Sequence, residues 1–146
     1  MPNDKQESDG KQRMANMKPH TTNYSNAFIE TAPDCPVAIA EIPPEKEPKT
    51  AARMAYEMLV DSPYRYTSDD VIYETKGAPK KISREAFFAK GQPCFRASAL
   101  TKRHGWGVHS NAEGKIAIYA MESPEYGRLA SDKSIDHLKA MRNKRK

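Results

Sequence analysis

The chain has 146 residues, of which 38% are hydrophobic and 29% charged, and its mean hydropathy is −0.84. This composition excludes a continuous apolar span of the roughly 20 residues that a membrane helix needs, and the length favours one domain. The first 20 residues contain no apolar stretch of the secretory type, so we expect a cytoplasmic protein with no membrane contact. Cys35 and Cys94 are expected to be free thiols in that reducing compartment.

The formal net charge of +5 is concentrated at one end of the sequence. Residues 139–146 carry five cations and no acid, whereas the rest of the chain has equal numbers of basic and acidic side chains. We therefore predict a neutral body and a basic C-terminal tail over 139–146. Such a tail favours at most weak, salt-dependent contacts with nucleic-acid phosphates.

Three segments are predicted in the N-terminal half before the first clear helix. Residues 1–19 contain few apolar side chains apart from methionine, which predicts a disordered extension. The stretch "NAFIETA", Asn26 to Ala32, predicts a short strand. The proline-rich stretch "EIPPEKEPK" that follows indicates an extended connector.

The clearest helix begins after Thr50, which is a good N-cap residue. Apolar residues at positions 51, 54, 55, 58 and 59 have helical spacing, and Ser62-Pro63 ends the pattern. The next stretch, "DDVIYET", alternates β-branched and aromatic residues and predicts a strand. Ser83 then predicts the start of a short helix through Ala89.

The C-terminal half is predicted to contain a strand, a hairpin and two helices. Alternation in "CFRASAL" predicts a strand with Cys94, Arg96 and Ser98 on one face. "WGVHS" and "KIAIYAM" flank "NAEG", which indicates a hairpin with Gly114 at positive φ. Ser123-Pro124 predicts a helix start. A last helix is predicted with three inward residues: Ile135, Leu138 and Met141.

These elements together predict one α+β domain over residues 20–138. We expect a mainly antiparallel sheet, with a β-hairpin in the C-terminal half and three to four short helices around it. The sequence does not indicate an oligomeric state.

The run "CFRASALTKRHGWGVHSN", Cys94 to Asn111, combines cations, histidines and the single tryptophan with no carboxylate. Arginine offers a bidentate fork to carboxylate or phosphate, and lysine a point charge. We therefore predict a pocket for a small anionic ligand, with Arg96 as its main anchor and Trp106 as a wall. The expected ligand-binding residues are Arg96, Ser98, Lys102, Arg103, His104, Trp106, His109 and Asn111.

Two other functions are compatible with the same residues. Cys94 with His104 or His109 could form a thiolate–imidazole pair, or a histidine could act as a general base, which would make the protein an enzyme. The basic tail could instead serve as a protein or nucleic-acid interaction module. The spacing of Cys94, His104 and His109 matches no zinc pattern. We therefore predict no metal site, and with no nucleotide-binding fingerprint we predict no cofactor.

Several stretches resemble a known family, the bacterial domain of unknown function numbered 6157. They are "HTTNYSNAFIETAPDCP", "SPYRYTSDDV", "FFAKGQPCFRASALTKRHGWGVHSNAEGKIAIYAMES" and "KAMRNKR". The resemblance extends from His20 to the C-terminal end of the sequence. It implies a short, cytosolic, single-domain bacterial protein, with no known activity and no catalytic residues to transfer.

Overall fold

A computed structural model describes residues 20–144, so the predicted extension over residues 1–19 lies outside the described part. The four strands described are β1 (Ala27–Glu30), β2 (Trp106–Ser110), β3 (Ile116–Ala120) and β4 (Asp136–Lys139). The same residues form five α-helices: α1 (Ala51–Asp61), α2 (Ser68–Ile72), α3 (Arg84–Phe87), α4 (Ala99–Lys102) and α5 (Pro124–Ala130). A π-helical turn (Tyr73–Gly77) follows α2, and Phe95–Ala97 is a 3-10 turn.

The four strands form one sheet in the order β3-β2-β1-β4. Strand β2 is antiparallel to both β1 and β3, whereas β4 runs parallel to β1. The prediction of a single α+β domain with a mainly antiparallel sheet is confirmed, although the parallel pair makes the sheet mixed. None of the helices within residues 20–144 is long and apolar enough to cross a membrane.

The core lies between the sheet and α1. Ile29 and Val108 from the sheet are at most 2% exposed, and Leu59 from α1 is equally buried. The helix buries the face that carries Ala52, Ala55 and Leu59, because these positions recur at helical spacing. This packing fixes the position of α1 against the sheet, including its N-terminal end.

Local signals in the sequence predicted the capped helices and the hairpin correctly. The Thr50 hydroxyl accepts a hydrogen bond from the Arg53 N–H at 3.1 Å, and Ser123 caps α5 in the same way. Ser83 accepts from the Ala86 N–H, although α3 ends at Phe87 and not at Ala89. Gly114 has a φ of +81°, as the hairpin loop required.

The segment from Cys94 to Leu100 was predicted to be a strand, and this prediction is wrong. The Cys94 sulfur accepts a hydrogen bond from the Arg96 N–H at 3.4 Å and caps the 3-10 turn. The Ser98 hydroxyl caps α4 through the Leu100 N–H at 3.1 Å. Two side-chain caps in succession turn the backbone helical, so the alternating face expected for Cys94, Arg96 and Ser98 does not exist.

The stretch "DDVIYET" is also helical. Thr67 and Asp70 form a capping box, in which each side chain accepts a hydrogen bond from the other residue's main-chain N–H at 3.0–3.1 Å. This cap begins α2, and the chain continues into the π-helical turn. A capping box satisfies helix N–H groups that would otherwise have no acceptor, and it prevails here over the β-propensity of the sequence.

The predicted last helix is strand β4. Asp136 donates its main-chain N–H to Asn26 and Ala140 donates to Glu30, at 2.9 and 2.8 Å, on either side of the β1 pairing. Because α2 and α4 form in stretches that were predicted to be strands, the described residues contain five α-helices, whereas three to four helices were expected. Residues after β4 remain attached to the domain, since the Asp34 carboxylate accepts hydrogen bonds from the N–H groups of Asn143 and Lys144.

Candidate functional site: a basic pocket at the start of α1

A pocket of about 470 Å³ lies where the proline-rich connector, the start of α1, the π-helical turn and α4 come together. Four basic side chains line it: Lys46, Lys76, Arg103 and His104. Thr50 and Ser98 add hydroxyl groups. None of the described residues that line the pocket is acidic. We refer to this space as the basic pocket.

Arg53 of α1 holds the connector that supplies Lys46. Its guanidinium donates to the Pro43 carbonyl at 2.9 Å and pairs with Glu45 at 3.2 Å. The same side chain donates to Glu57 at 2.7 Å, one helical turn further along α1. The pKa of Arg53 is raised, chiefly by the hydrogen bond to Glu57. The connector is therefore fastened to α1 just before Lys46.

Lys76 and Arg103 reach the pocket from separate segments of the chain. Lys76 belongs to the π-helical turn, a structure in which one extra residue per turn displaces side chains from the usual helical positions. Arg103 follows the last residue of α4 and is exposed. Among residues 20–144, no carboxylate lies within ion-pair distance of Lys46, Lys76 or Arg103. Their charges remain available to an anion.

The start of α1 contributes a further positive potential to the basic pocket. Ala51 and Ala52 occupy the first helical positions and line the pocket. Their N–H groups have no acceptor within the helix, and the helix dipole places partial positive charge at this end. The Thr50 cap uses the Arg53 N–H and leaves these two amides free of it.

His104 connects the basic pocket to the loop before α1. Its Nδ1 lies 3.3 Å from the Glu41 carboxylate, and its main-chain carbonyl accepts the Glu41 N–H at 2.9 Å. The Trp106 indole N–H donates to the Glu41 carbonyl at 2.9 Å, and its ring packs against Tyr56. Trp106 thus fixes the loop that borders His104 and does not itself line the pocket.

Only part of the predicted site comes together. Ser98, Arg103 and His104 line the basic pocket. Arg96 points elsewhere, because its Nε donates to the Lys139 carbonyl at 2.7 Å. The Lys102 carbonyl accepts from the Asn143 side chain at 2.8 Å, and the Asn111 side chain accepts two main-chain N–H groups within the hairpin loop.

His109 belongs to a separate cluster on the sheet. Its Nδ1 lies 2.7 Å from the Tyr64 hydroxyl, which lies 2.8 Å from the Tyr119 hydroxyl. Burial lowers the pKa of His109, and the charge of Asp132 partly opposes this shift. Burial and the hydrogen bond to Tyr119 raise the pKa of Tyr64. The lowered pKa favours the neutral imidazole, and its tautomer sets which partner donates in the bond between Nδ1 and the Tyr64 hydroxyl.

The surroundings of Cys94 bear on the enzyme hypothesis. Its sulfur lies 3.6 Å from the Tyr24 hydroxyl and accepts the Arg96 N–H. Within the described part of the chain, no hydrogen bond joins Cys94 to a histidine. The same residues contain no group of three or more His, Cys, Asp or Glu side chains placed to hold a metal ion. Both cysteines are free thiols.

Sequence reasoning missed Lys46 and Lys76, which complete the basic pocket. Both lie far along the chain from Arg103, and only the packing of α1 against the sheet brings them close. The proline-rich connector and the π-helical turn carry no local signal for a binding site. The pattern that could be read, a run of cations without carboxylates, identified only one wall.

The fold and pocket define a single-domain α+β protein with a basic cavity at the start of its longest described helix. The chain belongs to a family described as "Family of unknown function (DUF6157)", whose model matches residues 19–146. Comparison with curated proteins and with solved structures gave no match.

Proposed function

We propose that this protein binds a small anionic ligand, a carboxylate or a phosphate, in the basic pocket. One observation carries the proposal: Lys46, Lys76 and Arg103 converge on one cavity, and no acid lines it among residues 20–144. The cavity volume of about 470 Å³ falls in the range typical of small-molecule sites. The cations come from three separate segments, so a ligand that contacts all three would bridge the connector, the π-helical turn and α4.

Arg103 replaces Arg96 as the anchor in this proposal. Its guanidinium forms no ion pair with a carboxylate of residues 20–144, whereas Arg96 is bonded to the end of β4. An arginine fork, a lysine ammonium and helix N–H groups together recognise a planar carboxylate or a phosphate. Screening by salt weakens these contacts because the pocket is open to solvent, so we expect affinity to fall as ionic strength rises.

The test is a titration of the full chain with inorganic phosphate and, separately, acetate, followed by NMR shifts of the Ala51 and Ala52 amides. We expect saturable shifts in the wild type and their loss in Arg103→Glu. The matched control is Lys133→Glu, which makes the same charge change at an exposed residue outside the pocket. Equal binding by the two variants, or no saturable shift in the wild type, contradicts the proposal.

Glu41 offers a second variant with the opposite expected sign. Its carboxylate contacts His104 at the edge of the pocket and competes with an incoming anion for that side chain. Glu41→Gln removes the negative charge and keeps the main-chain contacts to His104 and Trp106. We expect it to bind phosphate more tightly than the wild type by a few-fold, as about 0.5 kcal/mol of screened repulsion would give.

The other functions stay predictions with their own tests. Alkylation of Cys94 no faster than that of a free thiol near pH 7 would exclude a thiolate nucleophile.

The tail hypothesis is tested with Arg142→Gln and Lys144→Gln, because a deletion from Lys139 would also remove the end of β4. Unchanged retention of this double variant on a phosphate-rich matrix would exclude it. We also propose that the protein is bacterial and lies in the cytoplasm, and its two free thiols are consistent with that reducing compartment.

A further inference from the structure

A larger cleft, of about 770 Å³, adjoins the basic pocket on the other side of the first turn of α1. The two cavities share Ala51 and Lys76 in their linings. Lys76 therefore stands between them, on the π-helical turn. A ligand held at Lys76 could extend into either space.

The walls of the larger cleft are largely apolar. Met54 of α1, Ile82, and Ala86 and Phe87 of α3 line it, together with three prolines. Phe87 is only 6% exposed, and its ring packs edge-on against Tyr73 and Phe88. The Phe87 ring is therefore held in place by two neighbouring rings and forms an apolar wall of the cleft.

The charged groups that line the larger cleft are all positive among the described residues. Four lysines line it, Lys49, Lys76, Lys80 and Lys90, and none of the described lining residues is acidic. Lys49 is paired with Glu57 at 2.7 Å. The other three form no ion pair with a carboxylate of residues 20–144. An occupant that matches this cleft is apolar in its body and negative in its polar group.

We infer that the ligand is an anionic amphiphile, whose carboxylate or phosphate lies at Lys76 and in the basic pocket and whose apolar chain fills the larger cleft. The inference rests on the proposed function, because it uses the same pocket for the charged group. A hydrocarbon chain gains affinity in proportion to the apolar surface that it buries. A neutral lipid would bury the same surface but would lack the attraction between the lysines and a negative group, so it should bind more weakly.

The first experiment measures binding of straight-chain alkanoates to the full chain by isothermal titration calorimetry, below the concentration at which they form micelles. We expect octanoate, decanoate and dodecanoate to bind progressively more tightly, by about tenfold for every two methylenes. Acetate should bind far more weakly than any of them. Dodecanol, which has the same chain and no charge, should bind at least tenfold more weakly than dodecanoate.

The second experiment places the chain in the cleft by mutation. Ala86→Glu puts a carboxylate on the apolar wall, and Ala89→Glu makes the same change at an exposed residue that does not line the cleft. Ala86 is the third residue of α3 after the Ser83 cap, a position where glutamate favours the helix, so the fold is not at risk. We expect Ala86→Glu to weaken dodecanoate binding at least tenfold and Ala89→Glu to leave it unchanged.

A variant without added charge gives an independent reading. Met54→Gln makes the cleft wall more polar, and Val60→Gln makes a comparable apolar-to-amide change at an exposed residue of the same helix. Loss of dodecanoate affinity in Met54→Gln alone supports the inference. Equal affinity in both variants contradicts it.

The outcomes separate this inference from the proposed function. If phosphate binds and Arg103→Glu abolishes that binding, while alkanoates show no dependence on chain length, the basic pocket stands and the amphiphile is wrong. If dodecanoate binds in an Ala86-dependent way that Arg103→Glu does not affect, the cleft stands and the position of the charged group is wrong. If neither phosphate nor dodecanoate binds, both proposals are wrong.

Discussion

Asp69 shows how a single buried carboxylate attaches the first described segment to the domain. It is 8% exposed and accepts hydrogen bonds from the Thr21 hydroxyl and from both the N–H and the hydroxyl of Thr22, each at 2.7 Å. Asn23 completes the contact by accepting the Asp69 N–H at 2.9 Å. These bonds hold the "HTTNY" segment against α2, so this stretch serves the fold.

Asp69→Ala should lower the free energy of unfolding by about 3 kcal/mol, because the buried Thr22 N–H loses its acceptor and the Thr22 hydroxyl keeps only its contact with Ser68. The measurement is urea denaturation. Asp61→Ala is the matched control, since Asp61 is exposed and lies at the negative end of α1, where removing a carboxylate costs nothing. Equal unfolding midpoints for the two variants would show that the three bonds contribute no net stability.

Gly107 is a second residue whose identity the packing determines. A Cβ atom there would lie 2.7 Å from a ring carbon of Phe28 and 2.7 Å from one of Tyr126. Phe28 is fully buried and cannot move away. Gly107→Ala should therefore destabilise the protein by about 2 kcal/mol. Gly127→Ala, in α5 with no atom within 4 Å of the added carbon, should instead stabilise it by up to about 1 kcal/mol. The sign difference in thermal unfolding is the result that tests this pair.

At the scale of elements, sequence reasoning succeeded where the signal was local and failed where the partner was distant. The caps at Thr50 and Ser123 and the positive φ at Gly114 need only neighbouring residues, and they were predicted correctly. Strand β4 was predicted as a helix because its stability comes from pairing with β1, more than one hundred residues earlier. The helix at 68–72 was predicted as a strand although the Thr67 and Asp70 capping box could have been read.

The same distinction between local signals and distant partners applies to the residues of the candidate site. The run from Cys94 to Asn111 identified Ser98, Arg103 and His104 because its composition is unusual by itself. It could not show that Arg96 points to β4, since the caps that make this segment helical change the direction of every side chain in it. It also could not identify Lys46 and Lys76, whose relation to Arg103 exists only in the folded chain.

The attachment of the C-terminal segment gives a prediction at the scale of elements. The hydrogen bond from the Asn143 N–H is the main reason that the pKa of Asp34 is lowered to about 2 from its usual value of 3.8. The folded pKa is depressed, so this attachment is fully present above about pH 4 and is lost as the pH falls through about 2. Asp34→Ala should release the segment at neutral pH. We expect fast hydrogen exchange at Asn143 and Lys144 in this variant, with the amides of α1 unaffected.

Asp132→Ala serves as the control for that experiment. The pKa of Asp132 is also lowered, chiefly by the Ser134 hydroxyl, but its bonds remain within its own turn. The variant should leave Asn143 and Lys144 protected. Equal protection in Asp34→Ala and in the wild type would mean that β4 and the bond from Asn143 to the Lys102 carbonyl hold the segment without Asp34.

At the scale of the whole molecule, the cluster around His109 joins the chain after α1 to strands β2 and β3. Tyr64 has a φ of +59°, in the left-handed region that a tyrosine rarely adopts, and its N–H donates to the Ile116 carbonyl at 2.8 Å. The hydroxyl of this constrained residue reaches His109 and Tyr119 together. The cluster thus couples the protonation of one imidazole to the packing of three segments.

The stability of the folded chain should therefore fall as the pH drops below about 6.5. Burial depresses the folded pKa of His109 below this usual value, so between the two values the unfolded chain binds a proton that the folded chain does not. A protonated imidazole has an N–H at both ring nitrogens, so the Tyr64 hydroxyl could then only accept from Nδ1. Asp132 opposes the effect without reversing it. His109→Asn keeps an acceptor near the Nδ1 position and cannot titrate, so its unfolding free energy should lose this dependence between pH 7 and 5. A wild type and a variant with parallel stability curves over that range would show that the cluster does not titrate with folding, whereas a steeper fall in the wild type assigns the proton to His109.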